Sequence, residues 1–308
     1  MMKILGPDSL VFGVEDLDAA TRYLCDYGLR PCDLGATGGR FEAIDGTSLV
    51  VRKSSDPGLP AAVAASPNLR ETIYGVADKD TLERIGAELA RDRNVGCGSD
   101  GVLHSVDDDG YPIGFQVTIR GPISRPSDGV NIPGQPPGRA INQVAAVDHA
   151  QCRPCTLSHL VVFSQDARRA ERFYAERLGF RTVDYFSNLG PFMRPAGTYE
   201  HHTLFIIGNP GGSLGVQHFT FHLSGPNELL KAGFEFCRKG YRSFWGPGRH
   251  ILGSNYFWYF NSPFGGLMEF DADMDLHDDR WVPRNIPANA DTSQTFTLQF
   301  TPKWHPDH

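Results

Sequence analysis

Ser262-Pro-Phe-Gly-Gly-Leu-Met-Glu-Phe-Asp271 reads as a turn feeding a short apolar strand, and one carboxylate, Glu269, lies inside that strand. An unpaired charge in a dry core is costly, so Glu269 needs a partner. A metal cation is one candidate. Two other apolar runs each carry a histidine: Ser158-His159-Leu-Val-Val-Phe163 and Val216-Gln-His218-Phe-Thr-Phe221. We read His159, His218 and Glu269 as one metal site. The three lie far apart in the chain, on three separate strands, and converge only if those strands line one cup. Two histidines and one carboxylate leave about three positions of an octahedral metal open. That set suits a non-haem Fe(II) that binds an organic molecule together with O2, with Mn(II) as the alternative metal.

A repeat supplies the cup. Ser9–Val14 reads as a strand, Asp16 or Asp18 as an N-cap, Asp18–Tyr27 as a helix and Gly28 as its left-handed stop. Strands follow at 40–44 and 47–52. The pattern returns with strand 70–76, helix 80–90 and strands near 101–106 and 114–119, then with strand 157–163, helix 166–178 closed by Gly179, and strands 180–186 and 201–207. A fourth copy has strand 216–223, helix 226–239 closed by Gly240, and strands 255–260 and 266–271. Four such units of roughly 50–60 residues make a repeat architecture. Aligning the halves puts Ser9, Glu71 and Gln116 opposite His159, His218 and Glu269, so the N-terminal half reads as a scaffold without a metal. Residues 121–138, with five prolines and four glycines, read as a linker or arm.

The chain's 308 residues are enough for two domains. A net charge of −7 and the lack of a basic run argue against nucleic acid as a partner. No run of about 18 apolar residues is present, which argues against a membrane span. The opening Met1-Met-Lys-Ile-Leu-Gly-Pro7 lacks a signal-peptide core, so a cytoplasmic location is expected. Cys152-Arg-Pro-Cys155 is a lone CxxC and reads as two unconnected thiols ahead of a strand.

The motif Gly248-Arg-His250, Asn255-Tyr-Phe-Trp-Tyr259 and Ser262-Pro263 through Gly266 to Glu269, with the His201-His202-Thr run, resembles the type I extradiol ring-cleaving dioxygenases of the vicinal oxygen chelate superfamily. The resemblance implies an α+β fold of two domains, each of two βαβββ modules, with the C-terminal domain catalytic. The boundaries expected are 1–120 for the scaffold domain, 121–156 for the arm, 157–275 for the catalytic domain and 276–308 for a tail. It also implies His202 as the acid–base group and His250 and Tyr259 as further catalytic residues. The implied reaction is Fe(II)-dependent cleavage of a small aromatic diol by O2 beside the diol, giving a muconic semialdehyde-type product. A homo-oligomer is expected.

Phe192 and Met193 are expected as cavity walls, with Trp245, Asn255 and Phe257 as further substrate contacts. Arg194 and Arg249 keep a carboxylated catechol open as substrate. His201 is expected on the opposite strand face from His202. His222 reads as structural, and Asp271, Asp273 and Asp275 as a solvated face. The tail from Asp278 through Trp281 and Trp304 reads as a lid or a subunit contact. In some branches of the family an acidic residue follows the Gly-Arg-His element, but here the run is Ile251-Leu-Gly-Ser-Asn255, which leaves the substrate subgroup open. Other metal enzymes of this fold, glyoxalase-like or arylpyruvate-dioxygenase-like, and a non-enzymatic binder are the competing readings.

Overall fold

The computed structural model describes residues 2–64, 69–125, 129–145 and 151–298; Trp304 lies outside them. Four units repeat one order of elements. The first is β1 (Ile4–Val14), α1 (Leu17–Tyr27), β2 (Arg30–Gly35), β3 (Gly38–Glu42) and β4 (Ser48–Lys53). The second is β5 (Leu69–Val76), α2 (Lys79–Leu89), β6 (Gly96–Cys97), β7 (Leu103–Val106) and β8 (Pro112–Val117). The third is β9 (Thr156–Ser164), α3 (Ala167–Arg172) running on into a wide π turn over Phe173–Arg177, then β10 (Phe180–Phe186), β11 (Gly190–Pro195) and β12 (Leu204–Gly208). The fourth is β13 (Gly215–His222), α4 (Pro226–Arg238), β14 (Ser243–His250), β15 (Tyr256–Asn261) and β16 (Leu267–Ala272). The tail adds β17 (Arg284–Ile286) and β18 (Gln294–Thr297). Among the described residues no helix is long and apolar enough to cross a membrane.

Local chemistry explains the helix bounds. The Asp16 carboxylate accepts from the Ala19 amide at 2.9 Å, making Asp16 the N-cap of α1. Gly28 closes the helix at φ 107°, a region that a side chain disfavours. In the third unit Asp166 caps α3 through the Arg168 and Arg169 amides.

Two sheets result. One runs β2-β3-β4-β1-β5-β8-β7-β6 and the other β17-β10-β11-β12-β9-β13-β16-β15-β14-β18. In each unit the first strand pairs parallel with the last, and neighbouring units join through the antiparallel pairs β1/β5 and β9/β13. The strands holding His159, His218 and Glu269 are therefore β9, β13 and β16, adjacent at the centre of the second sheet. The tail joins both edges of that sheet, β17 against β10 and β18 against β14.

The N-terminal half packs directly behind the site. On β16, Phe270 faces away from Glu269 and stacks on Tyr27 of α1, with centroids 3.9 Å apart. The Tyr27 hydroxyl donates to the Glu269 backbone carbonyl. Tyr111 bridges the halves a second time, accepting from the Gly215 amide at 2.6 Å and donating to the Phe163 carbonyl at 2.8 Å. Tyr111→Phe strands both buried groups, so a loss of about 1–3 kcal/mol is expected. Urea denaturation checks it, with a lower midpoint and an unchanged slope.

The Pro/Gly-rich arm is irregular and largely exposed over its described residues. Cys152 and Cys155 are buried free thiols, both pushed up by burial, Cys152 to about 11.

Candidate metal centre and active-site cavity

His159 Nε2, His218 Nε2 and Glu269 Oε2 form a nearly equilateral triangle with sides of 3.3, 3.3 and 3.4 Å. All three residues are buried. The His218 Nδ1 proton goes to the Gln217 carboxamide oxygen, which leaves Nε2 as a bare lone pair. His159 Nδ1 lies 3.0 Å from Ser158 Oγ, which in turn lies 3.0 Å from His222 Nε2. Two imidazole lone pairs and a carboxylate oxygen thus converge on one point. Burial raises the Glu269 carboxyl, but His159, His250 and His218 more than offset it and hold it well below the usual carboxylate range. Electron-rich atoms crowded this way need a cation. Cis donors on one octahedral face with bonds of about 2.0–2.2 Å stand about 3 Å apart, so the triangle fits a metal ion.

Two of the triad, His159 and His218, line a cavity of about 340 Å³ including its mouth, at the small end for ligand sites. The lining also includes His202, whose ring stands 4.2 Å from that of His159, and His250 and Tyr259, with the Tyr259 ring 5.0 Å from that of His218. His250 Nε2 lies 3.1 Å from the Tyr259 hydroxyl and 3.6 Å from Glu269 Oε1. The apolar part of the lining is Phe186, Phe192, Phe205 and Leu252, with Phe192 stacked on Phe205 at 3.9 Å and 5.0 Å from the His202 ring. Asn255 and Ser293 complete the lining, and the Ser293 carbonyl accepts from His250 Nδ1. Burial and the neighbouring histidines His159 and His201 press His202 well below its ordinary range, so it rests neutral. Burial and Glu269 raise Tyr259 well above its ordinary value, so it keeps its proton.

Residues 156–270 match the model of the Glyoxalase/Bleomycin resistance protein/Dioxygenase superfamily. The chain is also 32% identical over 200 residues to Metapyrocatechase 2 of Cupriavidus necator, an alignment that covers 64% of this chain and 60% of that protein. Among solved structures, the Mn(II)-bound glyoxalase of Novosphingobium aromaticivorans superposes with a TM-score of 0.77 at 18% identity, covering 97% of this chain and 92% of that one. A halotolerant catechol dioxygenase superposes with a TM-score of 0.76 at 16% identity, covering 99% and 98%. The paired-module fold is thus the one these solved structures share.

Several sequence expectations about the site need correction. Met193 does not line the cavity. It alternates with Phe192 along β11 and is fully buried in the main core instead. Trp245 and Phe257 do not line it either: both lie behind His250, Phe257 stacked on it at 4.1 Å and Trp245 at 5.5 Å. Arg194 is turned away, bound to the Thr198 carbonyl at 2.6 Å and Asp279 at 2.8 Å. Arg249 pairs with Asp273 and covers the Tyr256 ring.

Asp271 is not solvated. It is buried 2.6 Å from His222 Nδ1. Burial opposes the charge on His222, but Asp271 and Glu200 raise it well above the ordinary histidine range. His201 is not on a strand face. β12 begins only at Leu204, and the His201 ring is buried against His202, with Nδ1 atoms 2.9 Å apart. His201 Nε2 lies 2.8 Å from Asp184. Thr220, which donates to Glu269 Oε2, was also not singled out by sequence; its place two residues after His218 on one strand was the available signal.

The N-terminal half departs from the expected alignment at one point. Thr220 pairs with Glu269 across β13/β16, and its counterpart Ile73 pairs with Gly114, not Gln116, across β5/β8. A side chain at Gly114 would meet Glu71 Oε1 at 3.1 Å. The third ligand position of that half therefore holds no side chain. Glu71 instead binds His104 at 2.6 Å, and Gln116 binds Asp8.

Proposed function

We propose that the protein is an extradiol dioxygenase. It cleaves a catechol-type aromatic diol beside its hydroxyls with O2, at an Fe(II) held by His159, His218 and Glu269. The observation that carries this reading is the cavity itself, in which a three-donor metal face adjoins a neutral buried His202 and a protonated Tyr259. The identity to Metapyrocatechase 2 over the same region supports it. A fourth-ligand, glyoxalase-like arrangement is not favoured, since Gly114 and Ser9 contribute no donor from the N-terminal half.

An iron(II) in this triad would supply adjacent positions for the diol oxygens and O2 and pass electrons between them. The chain's own groups handle protons and position. Neutral His202 accepts the proton that the diol loses on binding, then returns it to the oxygen that departs when the O–O bond breaks. The Tyr259 hydroxyl donates to His250 Nε2, and its oxygen accepts from the diol hydroxyl that keeps its proton. The phenylalanine wall holds the ring plane and keeps water out. Both O2 atoms end in the product, so no external reductant is consumed in turnover. Residues 157–275 form the catalytic domain in this reading, with 1–120 as scaffold. The exposed apolar Val130, Ile132, Ile141 and Val144 on the arm support a homo-oligomer.

The test is O2 uptake by protein reconstituted anaerobically with Fe(II), using catechol, 3-methylcatechol, 4-methylcatechol and 2,3-dihydroxybiphenyl. Uptake with a yellow ring-opened product is expected, and silence with all four overturns the proposal. The lining also predicts selectivity. Among the described residues no lysine or arginine lines the cavity, and burying an unpaired carboxylate costs several kcal/mol. 3,4-Dihydroxybenzoate should therefore show a kcat/KM at least about 100-fold below that of 4-methylcatechol.

A further inference from the structure

We propose that Asp184 and His201 are positioning residues that fix the proton order of His202, so that it offers a bare Nε2 to the cavity. The inference rests on the reading of His202 as the acid–base group.

The chain of contacts runs Asp184 Oδ2 to His201 Nε2 at 2.8 Å, then His201 Nδ1 to His202 Nδ1 at 2.9 Å. A carboxylate only accepts, so His201 must place its proton on Nε2. A neutral His201 then presents a lone pair at Nδ1. The only way to make the 2.9 Å contact is for His202 to donate from its own Nδ1. That leaves His202 Nε2 without a proton, facing the cavity that His202 lines and His201 does not. A neutral histidine protonated at Nε2 would be unable to take the diol proton there.

The charge states agree with this order. Burial raises Asp184, but His201 and Arg284 outweigh it and bring its carboxyl down to about 2. Burial lowers His201 and keeps it neutral. The tail completes the arrangement. The Arg284 amide donates to Asp184 Oδ1 at 2.7 Å and its guanidinium to Oδ2 at 2.5 Å, while Trp281 donates to the adjoining Val183 carbonyl at 3.0 Å. With Oδ1 committed to a backbone amide, an asparagine at 184 turns its NH2 toward His201, and the partly exposed Arg284 guanidinium, which would then face a donor, swings away. That reverses every donor in the chain and puts a proton on His202 Nε2.

The test has two arms. In the first, protein labelled with 15N-histidine and loaded with diamagnetic Zn(II) is examined by long-range 1H–15N NMR. His202 is expected to carry its proton on Nδ1 in the parent protein and on Nε2 in Asp184→Asn. In the second, the Fe(II) enzyme is assayed with 4-methylcatechol. Asp184→Asn should lose about 100-fold or more in kcat, with KM and iron content within about twofold. Arg284→Met, which loosens the tail without reversing the donors, should lose less than about tenfold and keep the parent proton order.

An Nε2 proton on His202 in the parent protein overturns the proposal, as does Asp184→Asn with parental kcat or with losses matched by Arg284→Met. If Asp184→Asn does not fold, the parent spectrum decides. A parent enzyme that cleaves no catechol defeats the functional reading alone, because the zinc-form spectra still decide the proton order.

Discussion

Glu269→Gln is expected to leave a folded protein that no longer holds its metal. Glu269 supplies the only negative charge in the triad, and its environment keeps that charge in place by holding the carboxyl well below its ordinary range. Glutamine matches the volume and still accepts a hydrogen bond from Thr220, and the Tyr27 bond goes to the backbone carbonyl rather than the side chain. The packing behind β16 is therefore untouched. Two neutral imidazoles and an amide are a poor set for a divalent cation. Loss of a partner that merely orients a ligand weakens metal binding by about 10–100-fold, so loss of the charged ligand itself should exceed about 1000-fold. Metal analysis after a chelator wash should fall from about one ion per chain to below about a tenth. The rise in melting temperature on adding Fe(II) or Mn(II) should vanish with it. Retention of iron and turnover by this variant would remove the triad from the account of the protein.

How much of this was legible in the sequence depended on which physical signal each residue carried. His159, His218 and Glu269 stood out because ionisable groups in apolar strands demand an explanation. The modules stood out because Gly28, Gly179 and Gly240 punctuate helical spacing, and all three adopt the left-handed conformation, at φ 107°, 75° and 94°. What failed was register and alternation where no local signal marks the strand. Strand alternation puts His201 and His202 on opposite faces, but β12 begins only at Leu204, so both histidines turn inward. Phe192 and Met193 adjoin in sequence, but alternation along β11 sends them to opposite faces.

The Gln116 assignment slipped by two residues because cross-strand pairing, which sequence spacing does not report, decides register. Asp271 looked like one of three solvated acids, yet it shares the Glu269 face of β16 two residues on. Its pairing with His222 comes from a strand far away in sequence. Asp184 carried no signal at all: its partners are His201, across the β10/β11 hairpin, and Arg284, from the tail.

His202→Phe is the second substitution expected to have a large effect, and it acts on turnover rather than on metal binding. Phenylalanine fills the space between the His159 and Phe192 rings, which lie 4.2 and 5.0 Å from that of His202, and keeps the cavity apolar and closed. The metal triangle does not include His202, so iron content should stay near one per chain and KM for 4-methylcatechol within a few-fold. The group that takes the diol proton and returns it is gone, and kcat should fall by about 10²–10⁴-fold. The variant also locates the action of Asp184. If Asp184 works through His202, it has nothing to work through once that residue is phenylalanine. Asp184→Asn added to His202→Phe should then cost less than about twofold more in kcat, although each change alone is severe. Residues acting as one unit lose their separate effects in this way, whereas independent ones add. Full additivity in the double variant would mean that the buried Asp184–His201 pair serves the tail and the fold, and that His202 takes its proton order from elsewhere.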